Sequence, residues 1–547
     1  MLAASFPNFG VAGLAWIAPG LILSLAIGKP GKQAFRIGYV AGIVHYLASL
    51  SWLLLIPVPL AWAWTKVLGW GALAAFIALY PAIWVWLTWK MFPAKITTDN
   101  SLTPIQHYAE QFHSVPWSRR LIWTISGAAL WVALEMMVAR FLGGFPWNLL
   151  GDSQFRMTPI IQVTAYTGVY GISFLLVWTS LSLLGAAMVI IRRPAMRSAW
   201  VGEIILPMLT VATLYATGYH KLMRPEPELP TMTVAMIQPS IPQSLIWDTN
   251  ANALRFKQLL QLSEQALTHK PDLLLWPEAA VPKMVAWDEE TYQAVSNLAQ
   301  SHKVWMIIGS DDLELHTNAT KWSDSDAFNS SFLVSPEGKL VQRYKKRNLV
   351  IFGEYIPLVH ILPFMKYLTP IGGGFTPGDR VIPFGMTDLK ANVSVLICYE
   401  DVFPHLAREY VFDDTDFLVN LTNNGWFGEG SAQWQHAAAA LFRAVENGIP
   451  LVRCSNNGLT CWIDSCGRLR QVFKSDSDGI YGPGYMIARV PVLAPGEKRL
   501  PTYYRLHGDR FGWGCIAFVV LQLLRTWSSN RKPRNTSPSA TPAHSNS

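Results

Sequence analysis

The pattern of apolar and polar positions changes character twice along this chain. Up to residue 222 it is a series of long apolar runs joined by short polar connections. From 231 to about 495, short apolar runs alternate with amphipathic stretches. One more long apolar run then precedes a polar tail. The long runs fall at 9–27, 37–55, 67–89, 121–138, 169–191, 201–219 and 511–524. Most reach the roughly 20 residues a helix needs to cross a bilayer. They predict a helical transmembrane bundle over 1–222 with about six helices and a C-terminal transmembrane helix over 505–528. A disordered cytoplasmic tail follows over 529–547, made of Ser, Pro, Thr, Asn and basic residues.

The Pro-rich RPEPELP at 224–230 reads as a linker. Beyond it, apolar runs predict strands at 233–237, 273–276, 304–308, 331–334, 393–398, 417–421, 451–455 and 459–463. Helical spacing predicts helices at 253–267, 290–300 and 432–447. The segment 231–495 is thus an α/β domain, long enough for a large core and inserted before the last membrane helix.

Composition agrees with the membrane reading. The chain is 51% hydrophobic and 15% charged, too apolar for an ordinary soluble enzyme. The net charge of +8 does not indicate nucleic acid, because the basic residues sit beside apolar runs and no nucleic-acid motif is present. Lys29, Lys32 and Arg36 lie between the first two runs, Lys90, Lys95, Arg119 and Arg120 between the third and fourth. Arg192, Arg193 and Arg197 lie between the fifth and sixth, and Arg525, Arg531, Lys532 and Arg534 follow the seventh. Every second connection is basic and is expected in the cytoplasm, which puts the N-terminus and the α/β domain on the outer side. The N-terminus lacks a basic n-region and a clear cleavage site, so no cleavable signal peptide is expected. Glu135, inside a membrane run, is expected to face the bundle interior. Cys398, Cys454, Cys461, Cys466 and Cys515 form neither a disulfide framework nor a zinc pattern, and free thiols are expected at Cys461 and Cys466.

Three stretches carry candidate chemistry. VSVLICYED at 393–401 puts Cys398 at the tip of a buried strand, where a thiol serves either as a nucleophile or as a small core group. LLLWPEAAV at 273–281 ends a strand at Pro277 and leaves Glu278 at its tip. Its apolar neighbours should raise the pKa of that carboxyl, as a general base needs. RYKKRNLVIFGEYIP at 343–357 sets Lys346 among apolar residues, as a fixed ammonium for an oxyanion or as part of a basic patch with Lys345 and Arg347.

A Glu, a Lys and a Cys in this order, each at a strand end or adjoining loop, together with WPE, the KxNLxxFGE-like run and CYE, resemble the nitrilase superfamily. The resemblance implies an α-β-β-α sandwich, with Glu278 as general base, Lys346 as stabiliser of the tetrahedral intermediate and Cys398 as nucleophile. A closer resemblance, over nearly the whole chain, is to the apolipoprotein N-acyltransferases of bacterial membranes. It rests on FPW at 145–147, QPSIPQSLIW at 238–247, WPEAAVP at 276–282, FGEYIP at 352–357 and CYED at 398–401. It continues in TNNGWFG at 422–428, WQHAAAALFRAVENGIPLVR at 434–453 and SNNG at 455–458. The family's essential positions carry over to Trp247, Glu278, Lys346, Glu354, Cys398, Tyr399 and Glu400. The family commonly has eight crossings against seven here, and relatives often carry Asp-Ala where this chain has Asn424-Gly425.

The resemblance implies transfer of an acyl chain from a phospholipid, through a Cys398 thioester, to the N-terminal amine of a diacylglyceryl-cysteine on an apolipoprotein. It also implies a monomer in the bacterial inner membrane with a periplasmic catalytic domain, and no metal or cofactor. Glu354 is expected to orient Lys346 or to form a plain ion pair, Glu400 to hold the catalytic geometry and Tyr399 to shape the acyl pocket. Trp247 and Trp426 either line a lipid-facing mouth or belong to the core. The loop 143–154, with Trp147, is either a re-entrant piece lining a lipid entrance or an interfacial anchor. The region 351–375 carries Leu362, Phe364, Met365, Tyr367 and Leu368 as the apolar face of a lid, or forms a buried loop. Two other readings compete: a membrane-anchored amidase or nitrile hydrolase using water, and a receptor or transporter with a dead enzyme domain. The intact Glu278, Lys346 and Cys398 weigh against the second.

Overall fold

The structure, a computed structural model, describes residues 1–93, 104–192, 195, 197–225, 228–246, 248–316, 325–357, 361, 363 and 374–531. The helical part comprises α1 (Ala18–Ser24), α2 (Gly31–Ser49), α3 (Ala63–Ile77), α4 (Leu79–Lys90), α5 (Pro104–Ser114), α6 (Trp117–Val138), α7 (Val169–Arg192) and α8 (Arg197–Leu222). Among the described residues, five stretches are long and apolar enough to cross a membrane: Leu60–Lys90, Trp117–Val138, Val169–Ile191, Trp200–Leu222 and Arg510–Ser528. With these helices the chain is a membrane protein.

The first two expected segments differ from the reading above. Residues 9–27 do not form one helix. Two 3-10 turns, Ala3–Ser5 and Ala12–Trp16, precede α1, which spans about 10 Å against a hydrocarbon core of about 30 Å. Pro19 lacks the N–H that an earlier helix start would require of it, so α1 begins beside it. α1 instead leans on α7: a Cβ on Gly20 would meet the Ser180 carbonyl oxygen at 2.6 Å. Residues 37–55 are divided between α2 and a 3-10 turn, Ser51–Leu55. Glu135 faces inward as expected, taking hydrogen bonds from Trp131 Nε1 at 2.9 Å and the Leu150 N–H at 2.8 Å.

The α/β part holds β1 (Thr231–Gln238), β2 (Leu273–Leu275), β3 (Trp305–Leu315), β4 (Ser325–Val334), β5 (Leu340–Lys345) and β6 (Phe384–Met386). It continues with β7 (Ala391–Ile397), β8 (Phe417–Thr422), β9 (Leu451–Ser455), β10 (Cys461–Ile463), β11 (Leu469–Val472) and β12 (Gly484–Pro491). They form two six-stranded sheets of order β12-β1-β2-β3-β4-β5 and β11-β10-β9-β8-β7-β6. Each is built on three parallel strands, β1-β2-β3 and β7-β8-β9, with antiparallel strands outside. Helices α9 (Asn252–Leu267), α10 (Glu289–His302) and α11 (Ala432–Asn447) complete the unit, and α12 (Arg510–Arg531) returns to the bundle.

Period-2 alternation decides the layers. Ala235, Ile237, Leu274, Met306 and Ile308 turn outward onto Leu259, Ala266, Val295 and Leu298 of α9 and α10. Val234, Met236, Leu273, Leu275 and Ile307 turn inward into the core shared with Val393, Val395, Val419 and Val452 of the second sheet. Parallel strands covered on both faces read as unbroken apolar runs, which is why the sequence declares them. The result is the expected α-β-β-α sandwich. Its fourth layer, α11, also forms the seam with the bundle. Every residue of α11 except Trp434 is buried. Gln435 shows why: its Oε1 accepts from Trp52 Nε1 at 3.1 Å and Trp147 Nε1 at 2.8 Å, while its Nε2 donates to the carbonyls of Pro7 and Ser49.

Candidate active site

The two sheets bring strand tips together at one end. Cys398 closes β7 and opens a 3-10 turn, Cys398–Val402, with φ of +51°. This left-handed backbone is uncommon for a side chain with a Cβ and persists only where its surroundings fix it. Part of the fixing is Glu400, fully buried two residues on. It accepts from the Ile397 N–H at 2.8 Å, the Arg347 N–H at 2.7 Å, the Asn348 N–H at 3.1 Å, and the hydroxyls of Tyr344 and Tyr410. One carboxylate therefore ties the peptide before Cys398 to the peptide after Lys346.

Glu278 follows β2 and Pro277. Its Oε1 accepts from Asn329 Nδ2 at 2.9 Å and lies 3.2 Å from Lys346 Nζ; its Oε2 accepts from the Asn423 N–H at 2.8 Å. The Cys398 thiol helps to stabilise the same carboxylate. Lys346 Nζ also lies 2.7 Å from Glu354 Oε1, which Asn329 Nδ2 reaches at 2.8 Å, and Glu354 Oε2 accepts from the Val350 N–H. Glu354 thus sits against Lys346 inside the site.

The electrostatics correct one expectation. Burial alone would raise the Glu278 pKa, as its apolar neighbours suggested. The Lys346 charge and hydrogen bonds from Asn329, Cys398 and Asn423 outweigh it, and the carboxyl is held below its ordinary range. Burial pushes the Cys398 thiol well up, helped by the Glu278 charge and opposed by Lys346. Burial would also lower Lys346, but Glu278 and Glu354 hold it well above its usual value. The resting state is therefore a carboxylate, an ammonium and a protonated thiol. Such an arrangement can serve covalent chemistry: a thiol beside a carboxylate able to take its proton, with an ammonium able to neutralise negative charge on an adjoining oxygen.

Further expected residues gather here. Trp147 is buried, its ring 6.2 Å from that of Tyr399 at 22°, and Phe145 packs at 6.1 Å from the same tyrosine. Trp147 is thus no interfacial anchor: its loop leaves α6 through Gly144 (φ +78°) and docks on the residue after Cys398. Trp426 is half-buried in the turn Asn424–Phe427, and its neighbour Phe427 packs against Trp52 at 4.6 Å. Trp247 lies outside the described residues, as do Leu362, Phe364, Met365, Tyr367 and Leu368 of the expected lid.

Sequence reasoning passed over Asn329, Asn423, Asp311, Gln435 and His436. Asp311 stands opposite Asn329 in the β3–β4 register and therefore on the same face of the sheet. Burial, with the charges of Glu278 and Glu354, pushes its carboxyl up to about 7. Polar residues in strands, in IIGSDD at 307–312 and DAFNSS at 326–331, were the available signal.

Comparison with known proteins places these features. The family described as carbon-nitrogen hydrolase matches residues 233–481, and that described as apolipoprotein N-acyltransferase N-terminal domain matches residues 1–182. A protein of Geobacter metallireducens named apolipoprotein N-acyltransferase is 34% identical over 527 residues, covering 94% of this chain and 91% of that one. A protein of the same name from Vibrio vulnificus is 29% identical over 547 residues, covering 96% and 95%. Among solved structures, Nit3 of Saccharomyces cerevisiae, from branch 10 of the nitrilase superfamily, is 18% identical with a TM-score of 0.36, covering 49% of this chain and 93% of that one.

Proposed function

The chain belongs to the apolipoprotein N-acyltransferase family, and from that premise we propose that its acyl transfer runs in two steps through a thioester on Cys398. Membership makes it an acyltransferase of the carbon-nitrogen hydrolase superfamily, working on lipoproteins in a membrane setting. The finer reading concerns donor, intermediate and orientation.

In the first step Glu278 takes the Cys398 proton as Sγ attacks the ester carbonyl of a phospholipid. The carbonyl oxygen gains negative charge beside Lys346. Collapse breaks the ester C–O bond, Glu278 returns the proton to the departing alkoxide, and a lysophospholipid leaves an acyl thioester behind. In the second step the N-terminal amine of a diacylglyceryl-cysteine attacks the thioester carbonyl. Glu278 takes one amine proton, collapse breaks the C–S bond, and the proton returns to the thiolate as the amide is released. No other reactant is consumed. One chain carries every group named, consistent with a monomer, and the alternating basic connections support a periplasmic catalytic domain on the bacterial inner membrane.

The observation that carries this reading is the seating of Trp147, from the membrane bundle, on Tyr399 beside the nucleophile. A hydrolase of small amides has no use for a lipid-side loop against its cysteine, whereas a donor held in the bilayer must be presented from that side. The test is mass spectrometry of Cys398 after incubation with phospholipid vesicles alone. An added fatty acyl mass, absent in Cys398→Ala and discharged by a diacylglyceryl peptide with a free amine, is expected. An unmodified Cys398 in folded, active protein ends the proposal.

A further inference from the structure

A buried histidine touches the nucleophile from behind. His436 Nε2, on α11, lies 3.2 Å from the Cys398 carbonyl oxygen and 2.6 Å from Asp401 Oδ1, and Asp401 Oδ2 is held at 2.6 Å by Arg453 Nη1 on β9. His436, Asp401 and Arg453 are all removed from solvent. His436 Nδ1 faces the Asn424 side chain at 3.0 Å, next to Asn423, whose N–H holds Glu278. The Trp147 ring centre is 5.3 Å from the imidazole centre. One ring thus meets the nucleophile's own peptide, the loop that orients the base and the loop from the membrane bundle.

The protonation state follows from the surroundings. Burial, helped by Arg453, lowers the His436 pKa and outweighs the pull of Asp401, so the ring is neutral. Two acceptors, the Asp401 carboxylate and the Cys398 carbonyl, face Nε2, so the single proton sits there. Nδ1 faces the Asn424 amide, with Oδ1 at 3.0 Å, and the donation from Nε2 is the same whichever way that amide is turned. The Cys398 carbonyl has one further donor, Asn420 Nδ2 at 3.0 Å. These two donors face the peptide whose φ is +51°.

We infer that His436 is a positioning residue, whose Nε2–H holds the Cys398 peptide in its left-handed pose so that Sγ faces Glu278. Through Trp147 the same ring links that pose to the seating of the membrane-side loop. The inference rests on the reading of Cys398 as nucleophile, and the experiment separates the two by using a reagent that needs neither lipid nor acceptor.

Full-length protein in detergent is treated with iodoacetamide, and the alkylation rate at each cysteine is read by peptide mass spectrometry. In the unaltered chain Cys398 reacts faster than the half-buried Cys466. With His436→Phe, which keeps an aromatic ring but offers no donor, the Cys398 rate falls about tenfold or more, because small displacements of a reacting group are costly. With His436→Gln, whose amide can still donate, it stays within about threefold. Should the phenyl ring not fit, His436→Met supplies a flexible side chain without a donor. A slow Cys398 in the unaltered chain overturns the reading of the site. A fast Cys398 that His436→Phe leaves fast overturns the inference alone, and so does equal slowing by Gln and Phe, which makes the role one of shape.

Discussion

The backbone N–H of Asn423 donates to Glu278 Oε2 at 2.8 Å, across the space between the two sheets. Glu278 follows β2 of the first sheet, and Asn423 follows β8 of the second. The carboxylate is therefore gripped by both halves of the sandwich, and Lys346, Asn329, Cys398 and Asn423 hold it in its charged form against the burial that opposes it. Glu278→Gln keeps the volume, replaces an acceptor by an amide and removes the proton relay. Acyl-enzyme formation at Cys398 should fall about 10²- to 10⁴-fold, the range typical of a lost general base, as measured by intact-mass time courses. A rate within about threefold of the unaltered protein removes Glu278 as the base.

Glu400 receives five donors with no cation beside it among its hydrogen-bond partners. Glu400→Gln turns one acceptor end into a donor facing other donors. The expected cost is about 3 kcal/mol, on the scale of breaking a buried charged network. It should appear as an unfolding midpoint several degrees lower in detergent, with acyl transfer reduced more than stability alone explains, because Lys346 and Cys398 lose their common tie.

Asp311 gives a pH signature. Its carboxyl is raised from an ordinary 3.8 to about 7, first by burial and then by Glu278 and Glu354. The folded state therefore binds this proton more tightly than the unfolded chain, and the group costs stability as pH climbs from about 4 to about 7. Asp311→Asn removes that cost. The difference in unfolding midpoint between variant and parent should be smallest near pH 4, grow in favour of the variant towards pH 7 and then level off. A difference that does not change with pH contradicts the shift.

Gly144 has φ of +78°, and a Cβ there would run into the Ala139 carbonyl oxygen. Gly144→Ala should unseat Phe145 and Trp147 from Tyr399. Acylation of Cys398 by phospholipid vesicles should drop about tenfold or more, while alkylation by iodoacetamide changes less than about threefold. Equal losses in both assays would mean the loop does not serve the lipid.

The parallel strands β2, β7, β8 and β9 were plain in the sequence because burial on both faces leaves unbroken runs such as LLL at 273–275. Edge strands were not: β5, LVQRYK, mixes charge with apolar residues because one face meets water, and it was not expected. Cys398 and Glu278 could be found since each ends or follows an apolar run, and Lys346 since it opens the KxNLxxFGE-like run. Their partners could not, since Asn329 and His436 earn their places only through distant pairings, β4 against β3 and α11 against Cys398. The direction of the Glu278 shift failed for the same reason: local neighbours are apolar, and the groups that reverse the shift lie 51, 68 and 145 residues away. At the N-terminus, residues 9–27 are apolar enough to suggest a span, and only the folded backbone shows the turns that interrupt them.

Helix α11 is a wall common to both compartments, with Gln435 bonded to the first lipid-side residues and its neighbour His436 to the nucleophile's peptide. Emergence from the ribosome then sets an order of construction. The opening segments are made before residue 435, so they are available as a mould against which the later half sets. Cut free of that mould, residues 231–495 would present a greasy, unsatisfied face where the seam had been, so the pocket around the sulfur is finished only at the membrane.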